Sequence, residues 1–393
     1  MFARARRITV LAIAIPLLCK PLDAQNVSLP SDLRAGMWAG GELDNYLRYL
    51  QTLGNGDPIA WSVRSFSPQT VEHLADGRAG IQPWHARLAQ SNHRRAFFVL
   101  PLQATVNFNT TYPFGSNDGP IWVGKGLTTS VQAGIGARLG ALTIIVDPIV
   151  FRAENTRFAL QPTGYGGQLQ FADPNFPSTV DRPQRFGNGA YQRFDWGETS
   201  VRVDTRGISL EITTANEWWG PATVFPYILS NNAPGIPRAF IGTESPRSIW
   251  IGRVGAQLQY GFADQSPYSA VTGSTSYLSV AQPGRRRFVS GAALTFQPRG
   301  IPTLEIGAAR FFHEAWDGHL GSAYLRTPFE GLLKSSLPKN APGDTADTRD
   351  LLKNQLASVF FRWQAPRSGF ELYWEYGRED HKLDLRDLTL EPD

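Results

Sequence analysis

Alternating apolar and polar residues dominate the chain after about residue 96. From Val254 to Phe262 every second residue is apolar or aromatic, and the residues between them are polar or small. A period of two is typical of a strand that buries one face. Similar runs occur at 97–111, 121–138, 141–152, 208–213, 288–297, 303–313, 356–364 and 370–377. The pattern predicts an all-β, antiparallel fold for this part of the chain.

The polar positions of these runs favour a membrane barrel over a soluble sandwich, although both alternate. Arg253, Gln257, Gln259, Glu371 and Glu375 suit a watery lumen, while the opposite face carries many aromatic residues. The runs approach the roughly 9–11 residues that a tilted strand needs to cross a bilayer. We therefore predict an antiparallel transmembrane β-barrel over 96–393.

The segments between the predicted strands differ in length. The segments 155–199, 263–285 and 315–354 are long and rich in turn-forming residues. Long loops in a compact protein are usually functional or disordered, and in outer-membrane barrels they face the outside of the cell. These three segments are expected to form the extracellular mouth.

The residues before the barrel predict a different element. Leu43, Tyr46, Leu47 and Leu50 recur at helical spacing. A second helix is expected to begin at Ser67, which can cap it while Pro68 occupies the first turn. We predict a small helical segment over 25–95 at the periplasmic side.

The first 24 residues predict a secretory signal peptide. Arg4, Arg6 and Arg7 precede a short apolar run, and Ala24 offers a small residue before the cut. The sole cysteine, Cys19, would leave with this peptide, so the mature chain is expected to hold no disulfide.

Charge and motifs exclude several functional classes. The formal net charge of +4 comes from scattered basic residues, so nucleic acid is not expected as a partner. The sequence contains no phosphate loop or dinucleotide fingerprint, and we expect no cofactor. The grouping of His313, Glu314, Asp317 and His319 lacks the spacing of helical zinc sites and is interpreted as loop residues, so no metal site is expected.

The segment 216–233 combines two adjacent indoles with a carboxylate and several amides. Aromatic faces stack on the C–H faces of sugars, and amide and hydroxyl groups bond their hydroxyls. The alternative is that the indoles belong to an aromatic girdle and the asparagines cap turns. The predicted polysaccharide-binding residues are Asn216, Glu217, Trp218, Trp219, Ser230, Asn231 and Asn232.

Three ordered motifs resemble those of the Wzi capsule-assembly family. They are the segment 216–233, the upstream stretch from Phe186 to Asp204, and the stretch 375–381 followed by 384–392. The resemblance implies an outer-membrane β-barrel lectin that holds capsular polysaccharide at the cell surface. Family members continue with further strands, so this barrel is expected to be C-terminally incomplete.

The resulting hypothesis is a non-enzymatic outer-membrane protein that binds capsular or exopolysaccharide. Its expected partners are this polymer and outer-membrane lipid, and other capsule-export components are further candidates. A porin or solute channel is the first alternative, because it shares the fold. A secreted glycoside hydrolase is the second, since Asp195, Glu198 and Glu217, or Glu375 and Asp380, could supply a carboxylate pair.

Overall fold

The computed structural model describes residues 38–64, 66–67, 70–71, 74, 97–100, 102–177, 180–268, 286–316, 318–329 and 353–379. The predicted signal peptide and the predicted motif residues from Asp380 onward lie outside this set. No helix among the described residues has the length and apolar character needed to cross a membrane. The helices are α1 (Glu42–Thr52) and α2 (Ser322–Arg326), with 3₁₀ turns at Gly167–Phe171 and Thr327–Phe329.

Antiparallel strands account for most of the regular structure. They are β1 (Phe97–Val99), β2 (Gln103–Asn109), β3 (Gly126–Gln132), β4 (Ile135–Leu139), β5 (Leu142–Val146), β6 (Ile149–Ala153), β7 (Tyr191–Asp195), β8 (Ser200–Thr205), β9 (Ile208–Thr213), β10 (Arg238–Thr243), β11 (Arg247–Ile249), β12 (Gly252–Asp264), β13 (Arg286–Pro298), β14 (Leu304–Ala315), β15 (Lys353–Ala365) and β16 (Phe370–Glu379). Each predicted run falls on one or two of these strands.

The strands form two sheets. Twelve belong to a large sheet in the order β1-β4-β5-β8-β9-β10-β12-β13-β14-β15-β16, with β11 pairing to β12, and four form a sheet in the order β2-β3-β6-β7. The prediction of an antiparallel β fold is confirmed. A closed barrel is not present among the described strands, because β1 and β16 form the two edges and closure requires them to pair.

The small sheet continues four strands of the large one after a corner. The strand orders β1-β4-β5-β8 and β2-β3-β6-β7 match, and the break falls at 100–102, 133–134, 147–148 and 196–199. Pro148 removes a ladder donor at this line. Gly197 has a φ of 55°, and a Cβ there would lie 2.4 Å from the carbonyl oxygen of Asp147. The corner therefore depends on local backbone geometry.

The large sheet curls around the N-terminal segment, defined as residues 38–64. Eleven strands side by side would span about 48 Å if flat. However, Trp38 packs with Phe98 of β1 and Ile145 of β5, while Arg48 pairs with Glu371 of β16 at the opposite edge. Ten residues, much of them helical, cannot span a flat sheet of that width. The inner face is the concave side that holds this segment.

Side chains alternate between the inner face and the opposite, outer face. On β9, Ile208, Leu210 and Ile212 are exposed while Ser209 and Thr213 are buried. In a soluble protein the apolar side chains of a strand are usually buried and the polar ones exposed. Here the arrangement is the opposite, and it continues across the sheet. The other exposed apolar residues of the outer face include Val201, Ile241, Leu294, Ile306, Val359, Leu372, Trp374 and Tyr376.

The connections are long at one end of the large sheet and short at the other. Residues 154–190, 214–237, 265–285 and 316–352 connect strands at the long-loop end. The turns at 140–141, 206–207, 299–303 and 366–369 lie at the short-turn end. The predicted long loops therefore share one end of the sheet.

The N-terminal segment begins with the helix that the sequence predicts. Leu47 and Leu50 of α1 are buried against Trp61 and Leu74. The helix ends where Gly54 adopts a φ of 75°. Ser67 also acts as the predicted cap, because its hydroxyl accepts a hydrogen bond from the backbone N–H of Thr70 at 3.1 Å.

Buried charges attach this segment to the inner face. Glu371 forms ion pairs with Arg48 of α1 and with Arg362 of β15, the latter at 2.8 Å, and accepts a hydrogen bond from Thr52 at 3.0 Å. Glu305 of β14 accepts the backbone N–H groups of Trp61 and Ser62, each at 2.9 Å. These contacts order the segment as part of the same packed unit as the sheet.

Replacing Glu371 by leucine should destabilise the protein by about 3–5 kcal/mol, because two buried arginines lose their carboxylate. Urea unfolding of the refolded protein measures this change. Glu379→Leu is the matched control, since Glu379 is exposed on the same strand and should change the midpoint little. Equal midpoints for the two variants would contradict the anchoring role of Glu371.

Candidate functional site

The segment 216–233, here called the tryptophan segment, lies on the inner face against the N-terminal segment. Gly220 donates its N–H to the carbonyl of Ser62 at 2.7 Å, and Arg64 donates its N–H to the carbonyl of Trp218 at 3.2 Å. Trp219 forms antiparallel bridges with both Val63 and Leu229. The two segments thus fill the concave side together.

Trp219 occupies the centre of the main apolar cluster. Its side chain is 0% exposed and packs with Val289, Ala293, Ala309, Phe311 and Phe360 from three neighbouring strands. A Cβ at Gly291 would lie 2.8 Å from this ring, so the strand carries glycine where the indole approaches. Removing a ring buried in this way costs about 3–5 kcal/mol.

Glu217 hydrogen-bonds to the indole of Trp219. Its carboxylate accepts the indole N–H of Trp219 at 2.8 Å, contacts the amide of Gln257 and pairs with Arg238 at 3.1 Å. Each partner compensates a buried charge that would otherwise be costly. Both the acid and the arginine are therefore part of the packing of the segment.

Trp218 is also buried, with 1% of its surface exposed. Its indole N–H bonds the carbonyl of Ala222 at 3.0 Å, and the Arg64 guanidinium lies 4.5 Å from the ring centre. The exposed indole platform that the sequence predicted is absent in this arrangement. Because neither ring presents a face to solvent, neither Trp218 nor Trp219 can stack on a sugar without movement of the segment.

The predicted polar residues join the tryptophan segment to neighbouring loops. Asn216 donates from its amide to the carbonyl of Ala233 at 2.7 Å, and Ser230 accepts the N–H of Asn232 at 3.2 Å. Asn231 accepts the N–H of Gly119 through its backbone carbonyl at 2.7 Å. These four asparagine and serine residues are partly or fully exposed. Their role in binding stays a prediction.

Sequence reasoning missed Asn117, which links two loops at the long-loop end. Its amide donates to the carbonyl of Val224 at 2.9 Å, and its backbone N–H donates to the side chain of Asn232 at 3.2 Å. Asn117 has a φ of 58°, which asparagine tolerates. The turn-forming run Ser-Asn-Asp-Gly at 116–119 was the signal that could have indicated it.

Exposed aromatic side chains accompany these amides. Phe225 is 68% exposed and Tyr227 is exposed beside it, while the Tyr227 backbone N–H bonds Glu375 at 3.2 Å. We call the set Asn117, Val224, Phe225, Tyr227 and Asn232 the rim. The side-chain oxygen of Asn232 accepts the backbone N–H of Asn117, and within the described residues the Oδ1 atoms of Asn117 and Asn231 are buried and accept no hydrogen bond. The rim thus offers exposed ring faces and the exposed side chain of Asn232.

A charged cavity of about 90 Å³ lies between the N-terminal segment and the sheet. Asp44 and Arg64 line one side and pair at 2.7 Å, while Glu198, Arg202 and Arg238 line the other. The cavity has room for a few waters. Its arginines and acids are largely matched in number, which fits a structural network better than an anion site.

Two of the candidate acids for glycoside hydrolysis, Glu217 and Glu198, are held by this packing. Glu217 is occupied as described above, and the Glu198 carboxylate accepts the backbone N–H of Asn216 at 3.2 Å. His313 and Glu314 are consecutive on β14 and so point to opposite faces. Among the described residues, no group of three or more His, Cys, Asp or Glu could hold a metal ion.

Comparisons with known proteins give a partial similarity in fold. No protein-family model and no curated protein matches the chain. Among solved structures, the chain is similar to Wzi of Escherichia coli, an outer-membrane protein involved in group 1 capsule assembly and a carbohydrate-binding β-barrel. The match covers 87% of this chain, with a sequence identity of 15% and a TM-score of 0.48.

The chain spans 63% of the length of that Wzi chain. At this identity and score the similarity concerns the fold alone and carries no argument about function. The class that the fold and the site define is an antiparallel β-sheet protein with an apolar outer face and a filled inner face.

Proposed function

We propose that this chain is a non-enzymatic outer-membrane protein that binds an exported capsular or exopolysaccharide at its rim and retains the polymer at the cell surface. The observation that carries the proposal is the rim itself, where Phe225 and Tyr227 lie exposed beside the amides of Asn117 and Asn232. Aromatic faces and amides together suit a neutral or weakly charged sugar.

The membrane setting is supported by the outer face. Exposed Leu294, Ile306 and Val359 lie on adjacent strands, and a contiguous apolar patch of this kind is rare on soluble monomers. Lipid is the partner that matches an apolar face of alternating strand residues. Outer-membrane lipid is therefore part of the proposal, and the long-loop end would face outward.

The filled inner face favours binding over transport. The N-terminal segment and the tryptophan segment occupy the concave side through Glu305, Glu371 and Trp219. An open solute channel needs a water-filled path at this place. The same packing removes Glu217 from solvent, which argues against its use in glycoside hydrolysis.

Retention would be multivalent. Each rim contact with a sugar is weak, but repeated units on one polymer raise the effective concentration at neighbouring proteins. Loss of one ring or one amide should therefore have a larger effect on polymer retention than on the binding of a single repeat unit.

The variant Phe225→Ala combined with Asn232→Ala should weaken binding of a capsular repeat oligosaccharide by about tenfold, because a stacking face and an amide are both lost. Isothermal titration with the liposome-inserted protein measures this. Phe370→Ala is the matched control, since Phe370 is an exposed ring at the short-turn end and should leave affinity unchanged.

Unchanged affinity in a folded rim variant would remove the rim from the proposal. Absence of binding by the wild-type protein to every capsular polymer tested, with ion conductance in planar bilayers, would replace the proposal by the channel alternative. Release of reducing ends from the polymer would instead show an enzyme.

A further inference from the structure

The outer face contains a cavity of about 900 Å³ whose lining is almost entirely apolar. Its floor consists of Ala292, Ala308 and Ala357, which belong to three adjacent strands and expose the backbone between larger neighbours. Leu294 and Tyr376 form its sides. This volume is at the upper end of the range for small-ligand sites.

The segment from α2 to Phe329 forms an overhanging wall of this cavity. It lies against the outer face because Tyr324 packs on Phe288 at 4.8 Å between ring centres, and Thr327 donates to Glu314 at 3.2 Å. The hydroxyl of Tyr260 also donates to the carbonyl of Leu325 at 2.7 Å. Pro328 and Phe329 then project over the alanine floor.

Two arginines line the cavity on the side of the long loops. Arg310 and Arg378 both pair in register with Ala357, so they occupy one row across β14, β15 and β16. Their backbones lie about 10 Å apart, which is two strand spacings. The Arg310 guanidinium donates to the carbonyl of Pro328 at 3.4 Å and to Gln355 at 2.7 Å, which holds it against the overhang.

The level of this row matches the edge of an apolar band. On β16 the outward residues Phe370, Leu372, Trp374 and Tyr376 are apolar or aromatic, and Arg378 is the next outward residue. Phe370 to Arg378 spans about 27 Å along the strand, or about 21 Å along the membrane normal at a barrel tilt of about 40°, which approaches the apolar band of about 25 Å in membrane barrels. Arg378 thus lies where lipid headgroups would begin, and Arg310 lies in the same row across the sheet.

We propose that this cavity is a specific site for a lipid of the outer leaflet that carries two phosphates and several acyl chains. The acyl chains occupy the apolar cavity under Phe329, and Arg310 and Arg378 bind one phosphate each. Arginine binds phosphate through paired N–H groups, and basic residues at the headgroup level select anionic lipids. The spacing of the two cations favours a headgroup with two separate phosphates. This inference rests on the membrane location in the proposed function.

The test is native mass spectrometry of the full chain in a neutral detergent with added lipid. The probes are diphosphoryl lipid A, monophosphoryl lipid A, phosphatidylglycerol and phosphatidylcholine. We expect diphosphoryl lipid A to bind at least tenfold more tightly than phosphatidylcholine. The double variant Arg310→Gln with Arg378→Gln should lose about tenfold in this affinity, and Arg299→Gln, in a short turn, should lose nothing.

A cavity-filling variant provides a second, charge-neutral test. Ala308→Phe should weaken diphosphoryl lipid A binding while both arginines remain, because the ring occupies the floor. All variants should bind the capsular oligosaccharide as the wild-type protein does. This readout also confirms that they fold.

Equal binding of all four lipids, or binding of phosphatidylglycerol as tight as that of diphosphoryl lipid A, would overturn the inference while leaving the membrane location intact. Failure of the protein to float with liposomes of any composition would overturn the membrane location and the inference together.

Discussion

The buried carboxylates of the inner face are the constraint on which the rest of this structure depends. Glu305 and Glu371 lie on strands of the curled sheet, and their partners come from residues 48–62 of the N-terminal segment. A buried carboxylate without partners would be far more costly than the hydrogen bonds gained. The curled sheet and the N-terminal segment therefore fold together, because each carboxylate needs its partners. The apolar residues of the strands then lie on the convex side.

This constraint also explains the role of the adjacent tryptophans. Once the N-terminal segment occupies the concave side, the space left beside Val63 and Phe360 is apolar, and Trp219 fills it. Glu217 and Arg238 then pair beneath the indole. The two indoles, whose chemistry best suits stacking on sugar, are buried in the packing, so the proposed sugar recognition is assigned to the exposed rim. The convex apolar surface and the rim lie at different places, so the proposed lipid and polymer contacts would not compete.

The strands were predictable from sequence because their signal is local. Alternation on β9 and β12 depends only on neighbouring residues and on which face meets solvent, and α1 follows equally from the spacing of Leu43, Tyr46, Leu47 and Leu50. The corner at Asp147 and Gly197 was not predicted, because it depends on a close backbone approach between residues fifty positions apart. The three runs 97–111, 121–138 and 141–152, each predicted as one strand, are therefore each divided into two strands.

The placement of the candidate site was predicted only in part. The segment 216–233 does lie at the long-loop end and contains three rim residues outside the predicted set, Val224, Phe225 and Tyr227. Burial of Trp218 and Trp219 could not be derived, since it follows from hydrogen bonds between this segment and Ser62 and Arg64, far away in sequence. Residue type indicates what a side chain can bind, whereas exposure is set by tertiary packing.

The concave face is filled by protein, and the convex face is proposed to contact lipid. Since Cys19 is the sole cysteine, single nitroxide labels can be introduced in a Cys19→Ser background. Labels at Leu294 and Val359 should be relaxed by oxygen dissolved in the bilayer and little by a water-soluble nickel chelate. Labels at the neighbouring inward positions Ala293 and Ser358 should be shielded from both. Ready access of the nickel chelate to Leu294 and Val359 in the liposome-inserted protein would contradict the account.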